Sequence, residues 1–380
     1  MSNLINEINE TIKNVIDEAV KKAYEMKELN ITIIPDYIIE IPRDKDHGDF
    51  ATNIAMLLPK QAKMAPQKIA EILKEHMDTT DTYIEEIETA GPGFINFYLD
   101  NRWLTKVIPI IEEEKDDYGK CNKGKGEKIN VEFVSANPTG PMHMGNARGA
   151  ALGDSLANLL DAVGYDITRE FYINDSGNQI ENFGKSLEAR YLQLFDIEAE
   201  IPEEGYHGED ILEHMRQLIK IEGDKYLDFP EEERRAALVE YALEKNLIRM
   251  KKDLADFGVE FDIWFSEQSL HDEGKVEKAI EFLKDKEYAY EDENALWFKA
   301  SEFGAEKDEV LIRSNGISTY FASDIAYHKD KFERGFKTAI DIWGADHHGH
   351  VARMKGGVKA LGYEPDRLHV IIMQLVRLYR

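Results

Sequence analysis

The chain has 380 residues, with 47 Lys+Arg against 74 Asp+Glu and a formal net charge of −27. The length predicts about two domains, and the acidity excludes a basic surface spread over the whole molecule, so a phosphate-rich partner would need a local patch. A single cysteine, Cys121, excludes an internal disulfide framework and a multi-cysteine zinc site, and no apolar run of about 18 residues reads as a membrane span.

Residues 1–108 read as a small α/β domain. Ser2 can cap a long helix in which Ile5, Ile8, Ile12, Val15, Ile16 and Ala19 recur at helical spacing. Acidic residues among them make this an amphipathic helix rather than a signal peptide. Ile31–Ile34, Tyr37–Ile41, Tyr83–Ile87 and Phe94–Leu99 read as strands, with Ala90-Gly91-Pro92-Gly93 turning between the last two. Pro66 opens a helix carrying Ile69, Ala70, Ile72 and Leu73. Gly48-Asp49-Phe50-Ala51-Thr52-Asn53, preceded by Asp46 and His47, reads on its own residues as a polar turn whose Asp49 caps a helix near Phe50. Residues 109–127 form a charged linker, with Glu112-Glu113-Glu114-Lys115-Asp116-Asp117 followed by Gly124-Lys125-Gly126.

From residue 128 the pattern becomes strand, turn, helix, strand. The strand Ile129–Val134 runs into Ser135-Ala136-Asn137-Pro138-Thr139-Gly140-Pro141-Met142-His143-Met144-Gly145-Asn146-Ala147-Arg148-Gly149, and a helix follows with Ala150, Leu152, Leu156, Leu159, Leu160 and Val163 on its apolar side, stopping at Gly164. A Gly-rich turn between a strand and a helix start seats anions, because free backbone N–H groups and the helix dipole both favour them. His143 stands at that position, next to Gly145, which lets the backbone come close. Tyr165–Ile173 is a second buried strand, so the unit begins βαβ and predicts a doubly wound parallel sheet. Residues from about 175 to 262 are mostly amphipathic helix and read as an insertion, with Pro230 and Glu231–Glu233 as one helix start. The sheet is expected to resume with Ile263–Phe265, Leu296–Phe298, Val310–Ile312, Thr338–Ile342 and Leu368–Ile372.

The stretch around His143 resembles the HIGH signature of class I aminoacyl-tRNA synthetases, and its surroundings resemble arginyl-tRNA synthetases. The fourth signature residue, usually histidine, is here Asn146, an amide that can donate to a phosphate oxygen but cannot be a cation. The element at 48–53 resembles the G-D-[YF]-A-x-N element of that family's N-terminal additional domain, which touches the tRNA elbow. Asn174-Asp175-Ser176-Gly177-Asn178-Gln179 resembles its N-D-x-G-N-Q element and reads as a structural turn near the site. The resemblance implies a Rossmann-like parallel sheet with a helical insertion at residues 128–380, preceded by the small domain. It implies activation of L-arginine with ATP and Mg²⁺, and transfer to tRNA(Arg).

Amino-acid activation leaves the protein mainly positioning and charge stabilisation to supply. His143 and Asn146 are the expected catalytic pair. With Gly145 they would meet the phosphates, while Gly344, Asp346 and His347 in Gly344-Ala345-Asp346-His347-His348-Gly349-His350 would line adenine and ribose. Three histidines in four residues also suit a metal, but neighbours such as His347 and His348 do not easily face one ion, and no metal is expected. A guanidinium needs acids for its fork and an aromatic face. Tyr320 and Asp324, four apart and so on one helix face, are assigned to it by the resemblance, with Glu132 as second acid. Ser135, Asn137 and Gln374 would hold the α-amino end, with His143 adjoining. Lys120, Lys123, Lys125, Lys128, Arg148 and Arg169 are the nearest thing to a basic patch.

The family's second, KMSKS-like signature and its anticodon-binding helical domain would follow Arg380. A fragment is therefore expected: a cytoplasmic monomer that binds arginine and ATP and turns over slowly alone. Two alternatives are a ligase adenylylating another small carboxylic acid without RNA, and a non-catalytic sensor of arginine or tRNA.

Overall fold

The computed structural model describes residues 2–374 and residue 376, and the chain divides into two units, Met1–Cys121 and Asn122–Arg380. The first unit runs α1 (Ser2–Glu25), β1 (Ile39–Glu40), β2 (Phe50–Thr52), α2 (Ile54–Leu57), α3 (Pro59–Ala62), α4 (Pro66–His76), β3 (Ile84–Ala90), β4 (Phe94–Leu99) and α5 (Arg102–Glu114). Its sheet is antiparallel in the order β1-β2-β4-β3. Leu4, Ile8, Ile12 and Ile16 of α1 bury against Ile69, Ala70 and Leu73 of α4 and against Ile95 and Phe97 of β4, as their helical and alternating spacings require. The side chain of Ser2, expected as the cap, lies outside the described residues.

Two expectations in this unit are corrected. Ile31–Ile34 is no strand, because the Gln61 amide takes the place of a neighbouring strand: Thr32 and Ile33 donate their N–H groups to its Oε1, and its Nε2 donates to the Ile33 carbonyl at 2.9 Å. Phe50–Thr52 is strand rather than helix. Asp49 clamps it to β4, its N–H donating to the Phe97 carbonyl at 2.9 Å and its Oδ2 accepting from the Leu99 N–H at 2.8 Å.

The second unit runs β5 (Lys128–Glu132), α6 (Met144–Ala162), β6 (Asp166–Ile173), α7 (Asn178–Gln193), α8 (Glu209–Glu222), α9 (Glu231–Asp256), β7 (Ile263–Ser266), α10 (Glu267–Asp272), α11 (Lys275–Asp285), β8 (Ala289–Asp292), β9 (Ala295–Phe298), β10 (Glu309–Ile312), α12 (Tyr320–Glu333), β11 (Thr338–Gly344), α13 (His350–Ala360) and β12 (Leu368–Met373). Five strands make a parallel sheet in the order β12-β11-β5-β6-β7. The chain moves one way from β5 to β7 and then returns to the other side of β5 with β11. That reversal opens a crevice beyond the carboxyl ends of β5 and β11, where such sheets hold ligands.

Leu296–Phe298 and Val310–Ile312 do not join this sheet. They form β9 and β10 of a separate antiparallel sheet, β10-β9-β8, which is a second correction of the strand reading. Helices α7, α8 and α9 lie between the neighbouring strands β6 and β7 and carry their own core, with Phe183, Leu187, Tyr191, Met215 and Leu238 fully covered. Helix α6 meets the sheet through small residues, Gly149, Ala150, Gly153 and Ala157, while Leu152 and Leu159 face solvent. A Cβ on Gly153 would sit 2.1 Å from the Phe133 ring, so contact this close requires glycine. No helix among the described residues is long and apolar enough to cross a membrane.

Candidate active site

The chain leaves β5 through strained backbone. Val134 and Ser135 have φ of 68° and 40°, a region that side chains rarely adopt and a β-branched one least. The turn then delivers His143 to the N-cap of α6. The His143 Nδ1 accepts from the Gly145 N–H at 3.1 Å, and the Asn146 Oδ1 accepts from the His143 N–H at 2.9 Å. Since a backbone N–H can only donate, Nδ1 is unprotonated and the neutral ring carries its proton on Nε2. That leaves Nε2–H and the first N–H groups of a 19-residue helix to meet an anion. Asn146 thus acts as a helix cap, a role that needs no charge.

The turn borders a cavity of about 700 Å³ lined by Ser135, Asn137, His143, Asn146 and His347, with Tyr206, His207 and Asp210 of the helical insertion opposite. The insertion also braces the turn. Buried Asn246 on α9 donates through Nδ2 to the Pro138 carbonyl at 2.8 Å and contacts His214 Nε2 of α8 through Oδ1 at 2.9 Å. Asn137 accepts from Asn174 Nδ2 at 3.0 Å. Asp175 has a structural task, accepting from Ser266 Oγ at 2.6 Å and from the Gln268 N–H at 2.9 Å, which ties the end of β6 to the start of α10.

Two smaller cavities adjoin α12. One, of about 170 Å³, is lined by Glu132, Ser135, Tyr172, Asn174, Asp324, Gly344, His347 and His350 among others. The other, of about 90 Å³, is lined by Gly177, Glu267, His271, Arg313, Tyr320 and Ser323 among others. Thr319 caps the helix, its Oγ1 accepting from the Ala322 N–H, so Tyr320 and Asp324 lie on the first turns. Tyr320 is 44 % exposed, and the Asp324 Oδ2 pairs with His350 Nε2 at 2.9 Å.

Sequence reasoning missed Glu267. It is 2 % exposed, and its Oε2 is buried with no hydrogen-bond partner. Burial first, and then the negative charges of Asp324 and Asp175, push its pKa up to about 7. A buried carboxylate beside other acids and an open aromatic is built to receive a cation. In the sequence it is only an acid in the first turn of a helix, indistinguishable from a dipole partner.

A buried charged layer underlies these residues. Asp341, Glu132 and Glu170 stand at one register level across β11, β5 and β6, all buried. Helix α12 and its C-cap answer with His328, Lys331 and Arg334, three residues apart. Lys331 Nζ lies 2.6 Å from Glu132 and 2.8 Å from Asp341, His328 Nε2 lies 2.8 Å from Asp341, and Arg334 grips both Glu170 oxygens at 2.6 and 2.9 Å. Burial opposes the Asp341 charge, yet Lys331 and His328 outweigh it and hold its pKa low. Glu132 is pushed up by burial against the pull of Lys331.

Of the sequence-derived residues, His143, Asn146, Ser135, Asn137, Glu132, Asp324, Gly344 and His347 line the cavities of about 700 and 170 Å³, and Tyr320 that of about 90 Å³. Glu132 already has a cation in Lys331. Gly145 lends its N–H to His143. Gln374 is exposed, at the end of β12, and its carbonyl accepts from Arg148 at 3.2 Å. The side chain of Asp346 lies outside the described residues. Three patch candidates are engaged internally: Arg148 as stated, Lys120 with Asp117 at 2.7 Å, and Arg169 with Asn158 at 2.6 Å and Asp154 at 3.4 Å.

Comparison with known proteins points the same way. The family model "Arginyl tRNA synthetase N terminal domain" matches residues 10–99, and "tRNA synthetases class I (R), catalytic domain" matches residues 108–375. The arginine–tRNA ligase of Caldanaerobacter subterraneus is 59 % identical over 379 residues, covering 100 % of this chain and 67 % of that protein. That of Moorella thermoacetica is 57 % identical over 378 residues, covering 100 % and 68 %. The solved arginyl-tRNA synthetase of Thermus thermophilus, 19 % identical, superposes with a TM-score of 0.59 over 95 % of this chain and 65 % of its own length, which supports the fold. The chain spans about two thirds of the length of these relatives. It belongs to the arginyl-tRNA synthetase family of class I aminoacyl-tRNA synthetases.

Proposed function

We propose that this chain forms the arginine-activating centre of an arginine–tRNA ligase. In that reaction an arginine carboxylate oxygen attacks the α-phosphorus of ATP, carried as its Mg²⁺ complex. The bond from that phosphorus to the bridging oxygen breaks and pyrophosphate leaves. A ribose hydroxyl at the tRNA(Arg) 3′ end then attacks the arginyl carbonyl and AMP departs. His143 Nε2–H and the amides opening α6 meet the phosphates as charge develops on them. Gly344, Asp346 and His347 border the nucleoside, and Asn146 serves by holding the cap. Asp324 and Glu267 take the guanidinium, with Tyr320 along its plane. Ser135, Asn137 and Gln374 lie toward the α-amino end, and Glu132, expected as a second acid for the guanidinium but already paired with Lys331, stands behind Ser135.

The observation that carries this reading is the buried Glu267 carboxylate, whose Oε2 has no hydrogen-bond partner, within reach of the charge of Asp324 and the ring of Tyr320. We assign residues 1–108 to contact with the tRNA elbow, 109–127 to a linker and 128–380 to catalysis, in a cytoplasmic monomer. The test is arginine-dependent exchange of pyrophosphate into ATP, with and without tRNA(Arg). Exchange with arginine and none with citrulline supports the assignment; exchange indifferent to the amino acid overturns it.

A further inference from the structure

Three carboxylates side by side inside a sheet repel one another unless cations meet them. The layer formed by Asp341, Glu132 and Glu170 is answered from α12 and its C-cap residue Arg334, and the same helix carries Tyr320 and Asp324. Two links run from this layer into the arginine site. His328 contacts the Asp324 carbonyl through Nδ1 at 2.7 Å and Asp341 through Nε2 at 2.8 Å. Both partners are acceptors, so both ring nitrogens donate and the ring is a cation. On the other side, Glu132 accepts from Ser135 Oγ at 3.0 Å, and that Oγ accepts from the Tyr172 N–H at 3.2 Å. Lys331, fully buried, joins Glu132 to Asp341 and so connects the two links.

We infer that Lys331 and His328 are positioning residues for arginine: through Asp341 and Glu132 they set the height of Asp324 on α12 and the strained turn at Val134 and Ser135, so that acid and α-amino contacts lie one arginine length apart. The inference rests on the arginine reading above. It differs from a stability role because it fixes two walls of one site, not only their attachment. Losing the Lys331 charge frees Glu132 and Asp341 to repel, and the two walls part.

The test is calorimetric titration of arginine into the chain and its Lys331→Met, Lys331→Arg and His328→Gln variants. It is run at a temperature where near-ultraviolet circular dichroism shows each folded, with the thermal midpoint recorded separately. Expected is a loss of about tenfold or more in arginine affinity for Lys331→Met and His328→Gln, with Lys331→Arg within about threefold of the parent even where its midpoint stays low. A residue that merely stabilises would lower the midpoint and leave the affinity of the folded protein unchanged. If Lys331→Met does not fold, His328→Gln decides. Folded variants that all bind arginine within about twofold of the parent overturn the inference. A parent chain that binds no arginine overturns the arginine reading first, and the inference with it.

Discussion

Asn146 stands where the signature usually has histidine, and its oxygen holds the His143 N–H at the start of α6. Asn146→Ala therefore removes a helix cap and should cost about 1 kcal/mol in urea unfolding; an unchanged midpoint would show that the cap is idle. Glu267 makes a prediction with a pH signature. Its pKa of about 7 lies above the ordinary carboxylate value, so between those values the folded state holds a proton that the unfolded state has lost, and stability falls as pH rises toward and past 7. Glu267→Gln should stabilise the ligand-free protein at pH 8 by about 2 kcal/mol, with little effect at pH 5. Arginine should bind the ionised form, so its binding at pH 7 releases protons, seen as a dependence of the calorimetric heat on buffer ionisation enthalpy. In Glu267→Gln that dependence and most of the affinity should disappear. Equal heats in all buffers for the parent would remove Glu267 from the site.

At the scale of elements, the strand-to-helix join after β5 and the start of α12 were legible. Their residues are short, polar and Gly-rich where apolar residues should stand, and Tyr320 and Asp324 share a face at simple helical spacing. The charged layer was not. His328, Lys331 and Arg334 look like any solvated helix stripe, because nothing local tells a lysine that its partner is a carboxylate on a distant strand. Leu296–Phe298 and Val310–Ile312 mislead for a related reason: runs of three apolar residues give no sign of strand direction, so two antiparallel strands read like parallel ones. The apolar stripe expected on α6 was likewise drawn around Leu152 and Leu159, whereas the sheet takes the side with Gly153. Gly153→Ala should force α6 away from Phe133 and cost about 2 kcal/mol in denaturant unfolding; a loss under about 0.5 kcal/mol would show that the contact yields easily.

The molecule as a whole is two units, each with its own hydrophobic core. Ile8, Ile12, Ile69, Leu73 and Phe97 make a core that lies wholly within residues 1–121, so that segment expressed alone should unfold in one cooperative thermal transition; a gradual, non-cooperative loss of ellipticity would contradict it. The second unit holds the crevice where its parallel sheet reverses direction. That reversal was implied by the βαβ start. The burial of Glu267 at the end of β7 was not, because it depends on α10 packing against α12.

The central claim is that Asp324 and Glu267 hold a guanidinium. The most direct test is calorimetric titration of the intact chain with L-arginine, beside citrulline and lysine, with Asp324→Ala in parallel. The account predicts a one-to-one complex with arginine alone, weakened about tenfold or more in the variant. Citrulline binding as tightly as arginine, or a folded Asp324→Ala variant binding arginine undiminished, would contradict it.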